Sequence, residues 1–342
     1  MSNSIQAGDI LVLGSGNFGT CLANHLARKG FPVVMWGRSQ AIADSINMHQ
    51  RNPKYLSHIQ LSPELKATVE LNPELLKRLK YLIIAIPTQS LRDVLHPIRN
   101  FLPEGLVPIC ASKGIEDQSL RFPYHIIAEE LGDSFCARTA ILSGPSFAVE
   151  VAEQQPTAVA LGCKDIEIGL RVQELFHSSF FRVYTTQDPI GLEVAGALKN
   201  VIALASGAAA GLGFQQNARA ALLTRGLAEM TRMGSLMGCD PMTFLGLGGV
   251  GDLFLTCSSE KSRNFTVGYR LGKGESLDHV LATLGSVAEG VWTTKAAYAL
   301  SQKLKADAPI IKSVYGVLYE GITIKTALNQ LLNREMKAEV TK

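Results

Sequence analysis

The chain has 342 residues, of which 46% are hydrophobic and 18% charged. At roughly 100 to 200 residues per domain this length calls for two domains, and so low a charge content excludes an intrinsically disordered chain. Its 33 basic and 30 acidic residues leave a net charge of +3, with no run of Lys and Arg forming the stripe that a nucleic-acid backbone requires. The small excess is compatible with an anionic substrate and does not by itself imply one.

Six cysteines, Cys21, Cys110, Cys136, Cys163, Cys239 and Cys257, sit in apolar contexts without a C-x-x-C pair. A chain of this size does not depend on disulfides, so a cytoplasmic location is expected. Met1 to Asp9 lacks the basic and apolar regions of a signal peptide, and the hydrophobic run Ile10 to Leu13 is too short to span a bilayer. The Ala- and Gly-rich stretch Val201 to Phe214 reads as a core helix and its end, with no membrane span expected.

In chain order, strands are predicted at Ile10–Leu13, Val33–Trp36, Tyr81–Ile86, Val107–Ala111, Ala140–Leu142, Thr157–Leu161 and Phe181–Tyr184. Helical patterns separate them. This alternation predicts an α/β fold, a Rossmann-like doubly wound parallel sheet wrapped by crossover helices. At Asp188-Pro189, a helix-start signal with Pro in the first helical position, the pattern changes to Ala-, Leu- and Gly-rich helices. The expected domains are therefore a dinucleotide-binding domain over 1–188 and an all-α substrate-binding domain over 189–342.

The first strand runs directly into Gly14-Ser15-Gly16-Asn17-Phe18-Gly19, followed by a helical pattern from Cys21 to Lys29 and the second strand. In such a βαβ unit Gly14 permits the tight turn, Gly16 lets the backbone approach a pyrophosphate, and Gly19 lets the helix pack on the strand. A bare glycine-rich turn would show the same letters without the flanking elements. Cofactor choice is read at the end of the second strand, where an acidic residue would bind the ribose 2′-hydroxyl of NAD. Here the sequence is Trp36-Gly37-Arg38-Ser39-Gln40. Arg38 can stack on adenine and fork onto a 2′-phosphate, which favours NADP over NAD; the alternative is a solvated surface arginine.

No H-E-x-x-H, G-x-S-x-G or Walker loop is present, and the seven histidines are dispersed, so no metal is called for. Lys113, in Ser112-Lys113-Gly114, follows a predicted strand where an open α/β sheet presents its ligand crevice, though a loop lysine would look the same. Lys199 lies on a helix with Ala195, Gly196, Ile202 and Ala203 at helical spacing and no carboxylate among them. Such a lysine either snorkels to solvent or stands in a cleft suited to acid-base work. Gly248-Gly249-Val250-Gly251-Asp252 places an acid in a glycine turn, and Ser262-Arg263-Asn264 gathers anion-friendly donors; each also fits ordinary loop chemistry.

Taken together, these residues resemble the prokaryotic NAD(P)-dependent glycerol-3-phosphate dehydrogenase family. The resemblance rests on Gly14 to Thr20, Ser112-Lys113-Gly114, Ser143-Gly144-Pro145-Ser146-Phe147-Ala148, Lys199-Asn200-Val201, Asn217-Ala218-Arg219, Arg225 to Met230, Gly251-Asp252-Leu253 and Ser262-Arg263-Asn264, and it covers nearly the whole chain. It implies NAD(P)H-dependent, reversible reduction of dihydroxyacetone phosphate to sn-glycerol 3-phosphate, supplying phospholipid synthesis. It also implies that Lys199, held by Asp252, moves the proton, with Lys113 adding positive potential. Cofactor contacts would come from Gly14, Gly16, Asn17, Phe18, Gly19, Arg38, Lys113, Ala148, Arg263, Val287 and Glu289. Substrate contacts would come from Lys113, Gly144, Ser146, Lys199, Asp252, Ser262, Arg263 and Asn264. Where similar enzymes often have a basic residue after Ser-Arg-Asn, this chain has Phe265. A homodimer is expected.

Two other readings compete. A catalytically silent dinucleotide sensor would keep Gly14 to Gly19 without needing the lysines. A hydroxyacid or ketopantoate reductase would share the architecture but act on a carboxylate, whereas Ser262-Arg263-Asn264 favours a phosphate.

Overall fold

The computed structural model describes residues 9–285, 287–335 and 338; the reading of the N-terminal segment before Asp9 falls outside them. Eight strands form one sheet: β1 (Ile10–Leu13), β2 (Val33–Trp36), β3 (Leu65–Thr68), β4 (Tyr81–Ile84), β5 (Val107–Cys110), β6 (Ala140–Ser143), β7 (Thr157–Gly162) and β8 (Phe181–Thr186). Their order is β3-β2-β1-β4-β5-β6-β7-β8. Chain order thus reverses between β1 and β4, which places the ligand crevice of a doubly wound sheet beside the loop after β1.

All seven predicted strands are present, with ends shifted by no more than a residue or two. Two features differ from expectation. β3 is an additional strand, paired parallel to β2 from Leu65↔Val33 to Thr68↔Trp36. And β7 runs antiparallel to β6, with Leu142 opposite Leu161, so the sheet is mixed rather than wholly parallel. The reason is the connection: between β6 and β7 the only helix is Ala148–Ala152, about 7 Å long at 1.5 Å per residue, too short to carry the chain back along a strand.

Alternate residues of the strands enter different cores, as expected of a sheet covered on both faces. Ile10, Val12, Val33, Met35, Ile83 and Ile109 join one cluster, while Leu11, Leu13, Leu82, Ile84 and Cys110 join the other. Fully burying such side chains stabilises by roughly 1.5–3 kcal/mol each, which makes these two layers the main support of the sheet. The helix after β1 begins at Asn17, not Cys21, and ends at Arg28.

The chain divides into two compact units, one running to Gly196 and including Cys239–Asp252, the other comprising Ala197–Gly238 and the chain from Leu253 onward. After β8 every described element is helical, starting with the helix Pro189–Gly211, whose Asp188 carboxylate accepts a hydrogen bond from Gly191 N at 2.8 Å. The compact units divide inside that helix, seven residues past the helix start at which the sequence pattern changes. The helix is long and apolar enough to cross a membrane by length and composition, but 78% of its most apolar window is buried in the protein, in keeping with a core helix.

In the second unit, helices approach with backbones nearly touching. A Cβ on Gly268 would overlap the Leu204 carbonyl, and one on Gly207 would overlap that of Phe265. Glu229, fully buried, takes Ile310 N at 2.9 Å and Ile311 N at 2.8 Å on its two carboxylate oxygens, capping the helix Pro309–Tyr319. Burial raises its pKa to about 7 against the pull of those two donors.

Candidate functional site

In the first unit the loop after β1 is built for close approach. Gly14 has φ +116, and a Cβ there would strike the Ala85 carbonyl just beyond β4. A Cβ on Gly19 would overlap the carbonyl of Gly14, so the helix can start only with glycine at that place. Gly16 differs: among the described residues nothing stands within 4 Å of where its Cβ would be, and none supplies a side-chain cap to the helix Asn17–Arg28 there. Open space beside uncapped N–H groups is what a pyrophosphate requires, so these residues fit a dinucleotide. Asn52, fully buried, secures the loop by donating to Ser15 O at 3.0 Å and to Thr20 Oγ1 at 2.9 Å.

Phe18 and Ala148 pack, partly buried, against the same core cluster, and the short helix bearing Ala148 lies against the helix of Phe18. Arg38 follows β2 and is exposed, next to Ser39, whose hydroxyl caps the helix Gln40–His49.

Lys113 stands three residues beyond β5. The loop is pinned by Ser112, whose hydroxyl donates to Ile86 O at 2.6 Å, and Lys113 Nζ lies 2.6 Å from Asp252 Oδ2. Asp252 ends the glycine-rich π-turn Leu247–Gly251, so two predicted site residues from distant parts of the sequence form one ion pair. Gly144 (φ +140) and Ser146 lie just past β6, joined by a bond from Ser146 Oγ to Gly144 O at 3.0 Å. Beside them is a group that the sequence placed in the Ser143–Ala148 motif without a role: the Ser143 hydroxyl, buried and without a hydrogen-bond partner among the described residues. It would be 3.3 Å from a Cβ on Gly196, which would also stand 3.4 Å from the Lys113 stem.

In the second unit Lys199 is 6% exposed, as is Asn200. The alternative of a snorkelling lysine is thereby removed. Its Nζ donates to Thr256 Oγ1 at 2.6 Å; Thr256, itself buried, is a residue missed in the sequence, where nothing distinguishes it from an ordinary helical threonine. Ser262 caps the helix Arg263–Gly272 by accepting from Phe265 N at 3.3 Å. Asn264 Oδ1 accepts from Gly290 N at 3.0 Å, and a Cβ on Gly290 would collide with both Asn264 and the Asn200 carbonyl. Asn200, Asn264 and the start of the helix Glu289–Lys303 are thus brought together. Arg263 and Val287 are exposed, and Glu289 is half-buried at that helix's start.

The reversed strand order, the glycine loop and its open helix start define a dinucleotide-binding protein of the doubly wound α/β class. Two family models match it: NAD-dependent glycerol-3-phosphate dehydrogenase N-terminus over residues 9–169 and NAD-dependent glycerol-3-phosphate dehydrogenase C-terminus over residues 188–329. The chain is 44% identical over 330 residues to glycerol-3-phosphate dehydrogenase [NAD(P)+] of Staphylococcus aureus, covering 96% of this chain and 99% of that protein. Among solved structures, glycerol-3-phosphate dehydrogenase from Coxiella burnetii superposes with a TM-score of 0.90 at 35% identity, over 95% of this chain and 98% of that one. The yeast Saccharomyces cerevisiae enzyme superposes with a TM-score of 0.79 at 25% identity, over 95% and 99%. The chain belongs to the NAD-dependent glycerol-3-phosphate dehydrogenase family.

Proposed function

We propose that this protein is an NAD(P)-dependent sn-glycerol-3-phosphate dehydrogenase that reduces dihydroxyacetone phosphate to sn-glycerol 3-phosphate, reversibly, with NADPH preferred. Membership of both halves of the chain in the family carries the reading. Gly14, Gly16, Asn17, Phe18 and Gly19 would hold the dinucleotide in the first unit with Arg38, Lys113 and Ala148; Arg263, Val287 and Glu289 would do so from the second. The bound dinucleotide supplies the hydride that the carbonyl carbon receives.

The protein's own residues then manage charge. Reduction turns the carbonyl oxygen into an alkoxide, which needs a proton and positive potential as it forms. Lys199 supplies that proton and takes it back in oxidation; buried and held by Thr256 Oγ1, its ammonium is fixed in one orientation. Lys113, held by Asp252, adds positive potential, and Gly144 and Ser146 complete the substrate contacts. Arg263, with Ser262 and Asn264, clamps the phosphate of a substrate too small to be positioned by apolar contacts.

The product is the backbone of glycerophospholipids, so supply of lipid synthesis is the proposed role. We place the enzyme in the cytoplasm, a reading supported by six free cysteines, five of them buried, and propose a homodimer, to be tested by sedimentation. Oxidation of NADPH, followed by absorbance with dihydroxyacetone phosphate, with dihydroxyacetone and with 2-keto acids, tests the activity. Turnover of dihydroxyacetone phosphate is expected, with dihydroxyacetone a very poor substrate and 2-keto acids not turned over. Preference for a 2-keto acid would replace this reading with the carboxylate reductase, and no turnover with any would leave the dinucleotide sensor.

A further inference from the structure

Arg219 stands in the first turn of the helix Gln216–Leu236, and the functional reading above gives it no role. Its guanidinium carbon lies 5.5 Å from the centre of the Phe265 ring. Its Nη2 donates to Cys257 O at a long 3.4 Å, and that carbonyl already accepts the Ser206 hydroxyl at 2.9 Å. Its Nε is shut off from solvent and has no hydrogen-bond partner among the described residues. A dry, unpaired N–H on a permanently charged group costs free energy, so its persistence calls for an explanation.

Its surroundings supply one. Phe265 directly follows Asn264, and its N–H is the one that Ser262 caps, so the ring under Arg219 belongs to the same helical turn as the phosphate clamp. Cys257 directly follows Thr256, the partner of Lys199. Arg219 therefore lies between the support of the proton donor and the first turn of the clamp. The aromatic face holds a guanidinium flat without using its donors, so Nε–H stays unspent and becomes available to an oxygen once the side chains that enclose it give way.

We propose that Arg219 is a second cation for the substrate phosphate, acting beside Arg263 and donating through Nε; this rests on the reading of Ser262-Arg263-Asn264 as the phosphate clamp. Phe265, on this account, is the platform that seats the cation.

The test compares the parent enzyme with Arg219→Met, Arg219→Lys and Arg263→Ala, measuring kcat and KM for dihydroxyacetone phosphate and for phosphate-free dihydroxyacetone. Arg219→Met should lose about 10-fold to 100-fold in kcat/KM for the phosphorylated substrate, mostly through KM, the range for one charge-assisted hydrogen bond. Dihydroxyacetone should be turned over as before, and Arg219→Lys should recover most of the loss. An equal loss on both substrates, or none on the phosphorylated one, overturns the proposal. Should Arg219→Met fail to fold, Arg219→Gln is judged by the same ratio, and failure of both to fold makes Arg219 structural and also overturns it. Arg263→Ala separates the two readings: if it loses no discrimination between the substrates, the phosphate clamp itself is wrong.

Discussion

Lys113 Nζ and Asp252 Oδ2 lie 2.6 Å apart although 139 positions separate them in the sequence. The Asp252 side chain is 3% exposed and that of Lys113 18%, so the carboxylate depends on its partners for compensation while the ammonium keeps one side accessible. A charge held in this way is oriented before any ligand arrives, which is the condition for electrostatic stabilisation without reorganisation. The glycine turn ending at Gly251 delivers the acid.

Asp252→Asn keeps the shape and removes the charge. Breaking a buried pair by neutralising one partner costs on the order of 3–5 kcal/mol when both are dry, less here because Lys113 is partly wet. Steady-state assays should show kcat for dihydroxyacetone phosphate falling by about 100-fold, within the range for loss of an electrostatic contact, with the circular dichroism spectrum unchanged. Parental turnover in this variant would mean that the pair serves only the fold.

Arg38 tests cofactor choice. It follows β2 in a segment, Trp36–Gln40, that contains no carboxylate, and its side chain is exposed, which suits a 2′-phosphate better than the ribose hydroxyl that an acid would bind. Arg38→Ala should raise KM for NADPH by about 10-fold or more, the scale of a lost charge-assisted contact, and leave KM for NADH near its parental value. A matched rise for both cofactors would sink the assignment.

The sheet was legible wherever a strand is buried on both sides, because short apolar runs such as Ile10–Leu13, bounded by turn residues, have few other uses. β3 escaped because Leu-Lys-Ala-Thr at the sheet's edge has only Leu65 buried and carries a lysine. The reversed direction of β7 left no mark either, since alternation records which face a residue takes and not which way the strand runs. At the site, the glycine loop could be read because conformation dictates its residue types. Thr256, Ser143 and the unpaired Nε of Arg219 could not, because their meaning arises from packing between residues far apart in sequence, as with Lys199 and Thr256 at a separation of 57.

Glu229 gives a pH dependence that is independent of catalysis. Burial raises its pKa from 4.5 to about 7 in the folded protein, so the native state binds a proton more tightly than the unfolded chain does. Stability from this group is therefore fully present below about pH 4.5 and is lost as pH rises through 7, by an amount on the order of 3 kcal/mol at 1.36 kcal/mol per unit. Glu229→Gln, which cannot ionise, should flatten the fall in melting temperature between pH 5 and 8. A variant whose melting curve tracks the parent across that window would show that the carboxyl does not titrate there.

The proposed proton transfer rests on Lys199. It is buried, its ammonium is tied to Thr256 Oγ1, and its neighbours at helical spacing, Ala195, Gly196, Ile202 and Ala203, are apolar or small, so a methionine of similar length should fit. Lys199→Met should leave the fold and NADPH binding intact, as read by circular dichroism and by nucleotide fluorescence, while proton transfer fails. A positioned acid-base group contributes about 100-fold to 10,000-fold, so kcat should drop by at least the lower figure, and small primary amines should restore part of it with an efficiency that follows their basicity. Thr256→Val separates having the ammonium from orienting it: kcat should fall less than in Lys199→Met, with no rescue by amines because the lysine is still there. If Lys199→Met turns over within a few fold of the parent, the proton comes from elsewhere, and Lys113, the other lysine assigned to the carbonyl chemistry, becomes the group to replace next.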